Sequence, residues 1–285
     1  MRLALAGGSR PLRPSKSLPK GNKKAVVVAV AAQKGGVGKT TTAVSLAAAW
    51  ARFHGQRVLV IDLDPQGHVC LSIQDQVEVG GSALSDLLTD PTSQLEVEEI
   101  RTGTSIPDLF VTPPDPGLLD AEDRMASRIG KELVLRKALE ITRTHYDVIV
   151  LDCPPNMGTL TVNGLVCADT VLVPAQASML SVAGIDGLLN TLDEVGAQLN
   201  PELSFLGVVL TRVDGRTKRS NEAVRTLVKE KWGDVLLPVG VSANDALAQA
   251  QLEGRDIFAH APKSRGADAY KELAADLLPR IDALR

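Results

Sequence analysis

The stretch that most constrains this 285-residue chain is residues 33–42, which read QKGGVGKTTT. An apolar run with strand character, residues 25–32, precedes it, and an alanine-rich segment with helix character follows it. A strand, a glycine loop and a helix in this order predict a nucleotide phosphate site, because glycines let successive backbone N–H groups converge on one anion. The start of the helix adds a partial positive charge. The alternative is a structural glycine turn, which does not require the Gly-Lys-Thr triplet.

Two side chains of the loop have predicted roles of their own. Lys39 is expected to reach the β- and γ-phosphates, and the Thr40 hydroxyl is expected to ligate Mg²⁺. Residues 147–152 (DVIVLD) form a second apolar strand that ends in Asp152, a carboxylate suited to the water shell of Mg²⁺. A core strand that ends in a turn aspartate is the alternative. The other predicted nucleotide-binding residues are Gly35, Gly36, Val37, Gly38 and Thr41.

Apolar strand runs and helical patterns alternate along the chain. Most of the strand runs are continuous rather than alternating, which is typical of parallel strands covered on both faces. The pattern predicts an α/β fold with a doubly wound, mostly parallel sheet flanked by helices, in one domain of residues 25–285. Besides 25–32, the predicted strands are 57–62, 108–112, 147–151, 170–174 and 205–210, and the predicted helices are 41–53, 131–144, 182–199, 218–231 and 267–278.

Charge is unevenly distributed over the chain, whose formal net charge is −3. Residues 1–24 hold seven basic and no acidic side chains, together with three prolines and three glycines, which predicts a flexible basic tail. No stretch approaches the ~18 apolar residues of a membrane span. The three cysteines, Cys70, Cys153 and Cys167, have no metal-ligand spacing and are expected to be reduced thiols of a cytosolic protein.

An additional lysine in the loop, Lys34, lies five residues before Lys39 and is not needed by an ordinary phosphate loop. With it the chain resembles the deviant Walker A group, the ParA/MinD family of dimeric ATPases, whose pattern is KGGVGKT. The resemblance implies ATP and Mg²⁺ as cofactors and a homodimer formed with ATP. It also implies that Lys34 crosses the dimer interface to the partner's ATP and that Lys34 and Lys39 are catalytic.

Further motifs favour the ParA/Soj branch of this family over the MinD branch. Residues 62–67 (DLDPQG) match its DxDPQG signature, which implies that Asp62 lies near Mg²⁺ and that Asp64 assists attack by water. Two carboxylates that cap a turn are the alternative. His68 follows, where the family commonly has Asn. The blocks LTRVDGRT at 210–217 and PKSRGADAY at 262–270 also resemble family segments.

The resemblance implies a nucleoid-associated, cytoplasmic ATPase that binds DNA non-specifically and positions a cargo. A ParB-like or other adaptor would stimulate its hydrolysis. The family usually carries PRNVR, but this chain reads PVGVS at 238–242, so Pro238 is expected to border adenine while both arginines are missing. The predicted DNA-binding residues are Arg216, Lys218, Arg219, Arg225 and Lys229. Three of them share one helical face, although such a stripe is also typical of solvated charge.

A membrane-surface positioning ATPase of the MinD type is the alternative function. It needs a basic C-terminal amphipathic helix with bulky apolar residues. The last 13 residues, 273–285, alternate charge signs, contain Pro279 and have no aromatic side chain. We therefore expect no membrane partner.

Overall fold

A computed structural model describes residues 24–73, 83–90, 95–214, 216 and 218–285. Residues 1–23, most of the predicted basic tail, lie outside the described residues, as do Gly215 and Thr217. The sheet has seven strands in the order β3-β4-β2-β5-β1-β6-β7, and all neighbours are parallel except β3 and β4. The strands are β1 (Val26–Val30), β2 (Val58–Asp62), β3 (Thr102–Gly103), β4 (Leu109–Val111), β5 (Val148–Asp152), β6 (Thr170–Gln176) and β7 (Ser204–Thr211).

Helices cover both faces of this sheet. In the described ranges they are α1 (Lys39–His54), α2 (His68–Leu71), α3 (Leu84–Thr89), α4 (Val97–Ile100), α5 (Leu118–Ala126), α6 (Val134–Thr142), α7 (Thr159–Cys167), α8 (Met179–Gln198), α9 (Lys218–Trp232), α10 (Asp245–Leu252), α11 (Ile257–His260) and α12 (Arg265–Asp282). None of them combines the length and the apolar character that a membrane span requires.

The predicted α/β class and mostly parallel sheet are confirmed, and the six predicted strands correspond to β1, β2 and β4–β7. The predicted helix 131–144 was wrong at both ends: a 3-10 turn occupies Lys131–Leu133, and the α-helix runs from 134 to 142. Gly130, with φ 72°, is the N-cap of that turn, so the helical path starts at Lys131 but its first turn is wound as a 3-10 helix. Seven short helices (α2–α5, α7, α10 and α11) and strand β3 were not predicted.

Two apolar cores lie on opposite faces of the sheet, and β1 contributes to both. Its Val26, Val28 and Val30 pack in the core that contains α1, α11 and α12, whereas Val27 and Ala29 pack in the core that contains α3–α9. Alternate residues of a strand point to opposite faces, so a continuous apolar run is needed to fill both cores.

The first helix is fixed at the sheet by contacts with the last one. The Trp50 indole is fully buried and donates to the Ala274 carbonyl at 3.0 Å, and the hydroxyls of Thr42 and Tyr270 lie 3.1 Å apart. The start of α1 therefore has a defined position at the carboxyl edge of β1, next to the carboxyl ends of β5 and β6. Ligands of open parallel sheets bind at this edge.

Candidate functional site: a nucleotide edge at the carboxyl ends of the strands

The phosphate loop joins β1 to α1 and has the backbone that its glycines predict. Gly36 and Gly38 have φ of 71° and 87°, the left-handed region that other residues rarely adopt. No atom lies within 4 Å of the position a Cβ would take at Gly35 or Gly36, so both face open space. Gly38 is the N-cap of α1 without a side-chain cap, and the first turn has no acidic residue. The free N–H groups of this helix start can therefore receive an anion.

Lys39 lies below the loop and is only 8% exposed. Burial lowers the pKa of its ammonium group, while the nearby carboxylates of Asp152 and Asp64 raise it. A buried ammonium group that lacks water is stabilised by an anion at hydrogen-bond distance. This environment fits the predicted contact between Lys39 and a phosphate.

The predicted magnesium ligands come together in this structure. Asp152 ends β5 and is paired in register with Asp62, which ends β2, so the two carboxylates lie side by side. The Thr40 hydroxyl donates to Asp152 Oδ2 at 2.6 Å, whereas the buried Oδ1 has no partner. Burial first, and the charge of Asp62 second, raise the pKa of Asp152.

This donor set fits Mg²⁺. A divalent cation would neutralise the adjacent carboxylates and would give Oδ1 of Asp152 a partner, directly or through water. Among the described residues no group of three or more His, Cys, Asp or Glu side chains could hold a metal ion alone. Phosphate oxygens and water would have to complete the shell, as is usual for Mg²⁺ at phosphate sites. The three cysteines are free and buried.

The DxDPQG segment forms a compact loop in which both carboxylates accept backbone hydrogen bonds. Asp62 accepts hydrogen bonds from the backbone N–H groups of Asp64 and Val69, both at 3.0 Å. Burial is the main cause that raises the pKa of Asp62 to about 7. Asp64 is 9% exposed, and its Oδ1 accepts from the N–H of Gln66 at 3.0 Å. Asp64 thus caps a turn beside the phosphate site, and its role in water attack stays a prediction.

Lys34 lies at the rim of the site. Its Nζ is 3.5 Å from Oε1 of Gln176, the last residue of β6, and the side chain is partly buried.

Pro238 is exposed on segment 235–243, which hydrogen-bonds along β7 through the N–H groups of Leu237 and Val241. The trans contact of Lys34 and the adenine contact of Pro238 both stay predictions.

The predicted DNA-binding residues are more heavily paired than a count of charges suggests. Arg216 binds Asp214 with two guanidinium nitrogens, and Lys229 binds Asp234 at 3.0 Å, although both basic side chains are well exposed. The pairing raises the pKa of Arg216. Arg225 is partly buried. Arg219 is exposed at the start of α9, whose first residue is Lys218.

Two residues at the end of β7 contact the phosphate loop and were missed as site residues. The Thr211 hydroxyl donates to the Val37 carbonyl at 2.7 Å, and Arg212 Nη1 donates to the Gly36 carbonyl at 3.2 Å. The sequence did hold a signal, because both residues lie at the carboxyl end of an apolar parallel strand.

Glu122 of α5 is a third contact that the sequence analysis missed. Its Oε1 accepts from the N–H of Leu160 at 3.3 Å and lies against Gly158, just after β5 and the Pro154–Pro155 pair. No periodic pattern in the sequence indicated this contact.

Comparisons with known proteins agree with this geometry. A family model described as an AAA domain matches residues 25–205. The chromosome-partitioning ATPase Soj of Thermus thermophilus is 39% identical, over 89% of this chain and 96% of that protein. The chromosome partitioning protein ParA of Myxococcus xanthus is 35% identical, over 89% of this chain and 88% of that protein.

A solved structure extends the likeness to three dimensions. The crystal structure of cobyrinic acid a,c-diamide synthase from Mycobacterium smegmatis with bound ADP and magnesium is 33% identical and gives a TM-score of 0.76. The match covers 92% of this chain and 97% of that one. Since the likeness to Soj and ParA extends far beyond the phosphate loop to most of each chain, this protein belongs to the ParA/Soj family of ATPases.

Proposed function

We propose that this ATPase is a nucleotide-switched homodimer that binds DNA non-specifically and positions a cargo on the nucleoid in the cytoplasm. ATP with Mg²⁺ is the substrate, consistent with the family and with the fit of the buried carboxylates. The observation that carries the proposal is the exposed rim of the phosphate loop, where a second lysine, Lys34, lies beside two glycines open to solvent.

The residues of one chain account for nucleotide binding. The N–H groups at the start of α1 and the ammonium group of Lys39 would bind the phosphates, and the Thr40 hydroxyl and the Asp152 carboxylate would hold Mg²⁺ directly or through its waters. When bound there, Mg²⁺ would supply positive charge against the β- and γ-phosphates. Asp64 orients the water that attacks the γ-phosphate. Because the phosphate cradle and Asp64 are separate, binding and hydrolysis can be separated by substitution.

The open side of the loop supports dimerisation with ATP. Phosphoryl transfer needs the attacking water held in place and bulk water kept out. Since nothing lies within 4 Å of the Cβ positions of Gly35 and Gly36, we expect one chain to leave the phosphates accessible from that side. A second copy would close the site and would bring its Lys34 to the γ-phosphate. Dimerisation is then coupled to the identity of the nucleotide.

Helix α9 supports DNA binding by the dimer. It carries five basic and two acidic side chains, and Arg219 is exposed near its start. Non-specific affinity comes from neutralising phosphates, so several bases on each half of a dimer suffice. Because Arg216 and Lys229 already have carboxylate partners, Arg219 and Arg225 are expected to contribute most. A partner protein of the ParB type would stimulate hydrolysis and release the dimer from DNA.

The C-terminal helix does not favour the membrane alternative. The apolar face of α12 is buried in the core around Trp50 and includes Tyr270, Leu273, Leu277 and Ile281. An amphipathic membrane anchor needs such a face free for lipid. Co-sedimentation with anionic liposomes in the presence of ATP tests this directly, and we expect the protein to stay in the supernatant.

The nucleotide site is tested with Lys39→Ala. We expect calorimetry to show no ATP binding, because the triphosphate loses its charge-assisted donor. Lys271→Ala is the matched control, since this lysine lies on α12 and stacks on Phe53. ATP affinity of the Lys39 variant near that of the control would refute the site.

The DNA interface is tested with a double variant that carries both Arg219→Gln and Arg225→Gln. With ATP, we expect this variant to bind non-specific duplex DNA more weakly. The slope of the logarithm of DNA affinity against the logarithm of salt concentration should become shallower by about 2 per subunit. Arg280→Gln on α12 is the control. Removal of residues 1–24 tests the basic tail as the competing source of affinity. DNA binding that survives the α9 changes and disappears without the tail would contradict the proposed interface.

A further inference from the structure

Arg212 has a strained backbone at the nucleotide edge. It directly follows β7, and its φ of 50° lies in the left-handed region. Among the described residues, Asp108 is the other non-glycine residue with positive φ. Aspartate tolerates this conformation better than arginine does, because its short polar side chain can hydrogen-bond locally. Strain of this kind persists where the surrounding structure holds it, often at a functional site.

The strain places the arginine side chain on the phosphate loop. Nη1 donates to the Gly36 carbonyl at 3.2 Å, while the preceding residue, Thr211, donates to the Val37 carbonyl at 2.7 Å. Two consecutive residues at the end of β7 thus hold two consecutive carbonyls of the loop. Thr211 also reaches the Ala175 carbonyl at 3.3 Å, which ties this contact to β6.

Peptide geometry converts these contacts into an orientation of N–H groups. In a planar trans peptide the carbonyl and the N–H of the next residue point in opposite directions. A donor on the Gly36 carbonyl therefore directs the Val37 N–H away from Arg212, and a donor on the Val37 carbonyl does the same for the Gly38 N–H. Both N–H groups belong to the segment that receives the phosphates.

The guanidinium group also brings charge. Arg212 is exposed, and within the described ranges no carboxylate forms an ion pair with it, in contrast to Arg216. Its positive charge is therefore not neutralised where it meets the loop. An unpaired cation beside a phosphate site strengthens the binding of an anionic ligand.

We infer that Arg212 is a positioning residue for the phosphates of the nucleotide: it fixes the Gly36–Val37 peptide and adds positive charge to the loop. This inference rests on the proposed ATP function. It makes the affinity for ATP depend on a side chain outside the phosphate-loop motif. A left-handed arginine that only filled space would have no such effect.

The test is Arg212→Gly, which removes the side chain and relieves the backbone strain. We expect ATP to bind about tenfold more weakly, the size of one charge-assisted hydrogen bond. The melting temperature without nucleotide should stay the same or rise, because glycine adopts this φ freely. Arg212→Lys should recover part of the affinity, and Arg212→Gln, which keeps the Cβ, should resemble the glycine variant.

Arg212→Gly both relieves a positive φ and removes an exposed arginine, and each of these changes has its own control. Asp108→Gly relieves the other positive φ, far from the loop, and Arg255→Gln removes an exposed arginine that also donates to a single backbone carbonyl, that of Ala259 at 3.3 Å. Both should bind ATP as the unchanged protein does. ATP affinity of the Arg212→Gly and Arg212→Gln variants within twofold of these controls would overturn the inference.

The result also separates this inference from the proposed function. If the unchanged protein binds ATP and Lys39→Ala does not, the ATP site stands whatever Arg212 does. If the unchanged protein does not bind ATP, the proposed function fails, and the inference fails with it. A fall in melting temperature of Arg212→Gly that parallels its loss of affinity would mean that Arg212 is merely structural, which also overturns the inference.

Discussion

Replacing Asp152 with asparagine should stabilise the nucleotide-free protein and weaken its response to Mg²⁺ and ATP. Asp152 is fully buried beside Asp62, and its Oδ1 has no hydrogen-bond partner. An unsatisfied buried acceptor costs about 1–3 kcal/mol. An asparagine can keep the Thr40 contact through its oxygen and donate its amide to the neighbouring carboxylates. The substitution also removes one of the adjacent negative charges.

The expected size of the effect can be measured by thermal unfolding. For a chain of this size, each kcal/mol shifts the melting temperature by about 2–4 °C, so a gain of about 1–3 kcal/mol should make Asp152→Asn melt roughly 2–12 °C higher without ligand. ATP with Mg²⁺ at 100 times its Kd should stabilise the unchanged protein by about 2.7 kcal/mol, and the variant should gain less. The variant should thus be more stable without ligand but gain less stability from ATP with Mg²⁺. A general loss of structure cannot produce this combination.

The control is another buried aspartate with its partners in place. Asp256 is 2% exposed, binds Arg52 at 2.7 Å and caps the first turn of α11. Asp256→Asn should therefore destabilise the protein, because it weakens a partly buried ion pair. A lower melting temperature for Asp152→Asn, together with an undiminished gain from Mg²⁺ and ATP, would refute the reasoning.

Four further substitutions separate nucleotide binding, dimerisation, hydrolysis and folding. Lys34→Ala and Gly35→Val should bind nucleotide but form no ATP dimer by light scattering, since nothing within 4 Å of Gly35 opposes the added side chain in one chain; a stable ATP dimer of both would contradict the dimer proposal. Asp64→Ala should bind ATP and dimerise but release no phosphate; the parental rate would leave Asp64 as a turn cap. Gly207→Ala should lower the free energy of unfolding by about 2–4 kcal/mol in urea, because φ is 143° and the new Cβ would meet Leu237 Cδ2 at 2.8 Å; unchanged stability would show that the strand relaxes.

The parts of the fold that could be predicted from the sequence are those that a local residue pattern determines. Continuous apolar runs mark parallel strands, and the glycine loop between β1 and α1 fixes where the nucleotide edge lies. The helix α7 shows why other parts were missed. Its sequence, TLTVNGLVC, holds β-branched residues and a glycine. Gly164 allows close packing, because a Cβ there would lie 3.1 Å from Cys153 Sγ and from Leu63 Cδ1. Tertiary packing decides this helix, not local propensity.

The candidate site likewise contains residues that a local motif predicts and contacts that only the folded chain creates. Lys39, Thr40 and Asp152 could be predicted, because a motif places each of them at the carboxyl end of a strand. The pairing of Arg216 with Asp214 depends on how a loop folds, and a count of basic residues cannot reveal it. The contact of Arg212 with Gly36 joins residues 176 positions apart. The sequence places Arg212 at the carboxyl end of an apolar parallel strand, but no residue type indicates its left-handed backbone or its contact with the loop.

The uneven surroundings of the phosphate loop suggest how ATP could control assembly. On the inner side Thr211 holds the Val37 carbonyl, and the Thr40 hydroxyl is bonded to Asp152, so the cradle is already formed in one chain. On the outer side nothing lies within 4 Å of the positions that a Cβ would take at Gly35 and Gly36. A preformed inner half lets one chain bind nucleotide, whereas an open outer half leaves the γ-phosphate available to a second chain. Because ADP lacks that phosphate, it would fill the inner half without offering a contact to the partner.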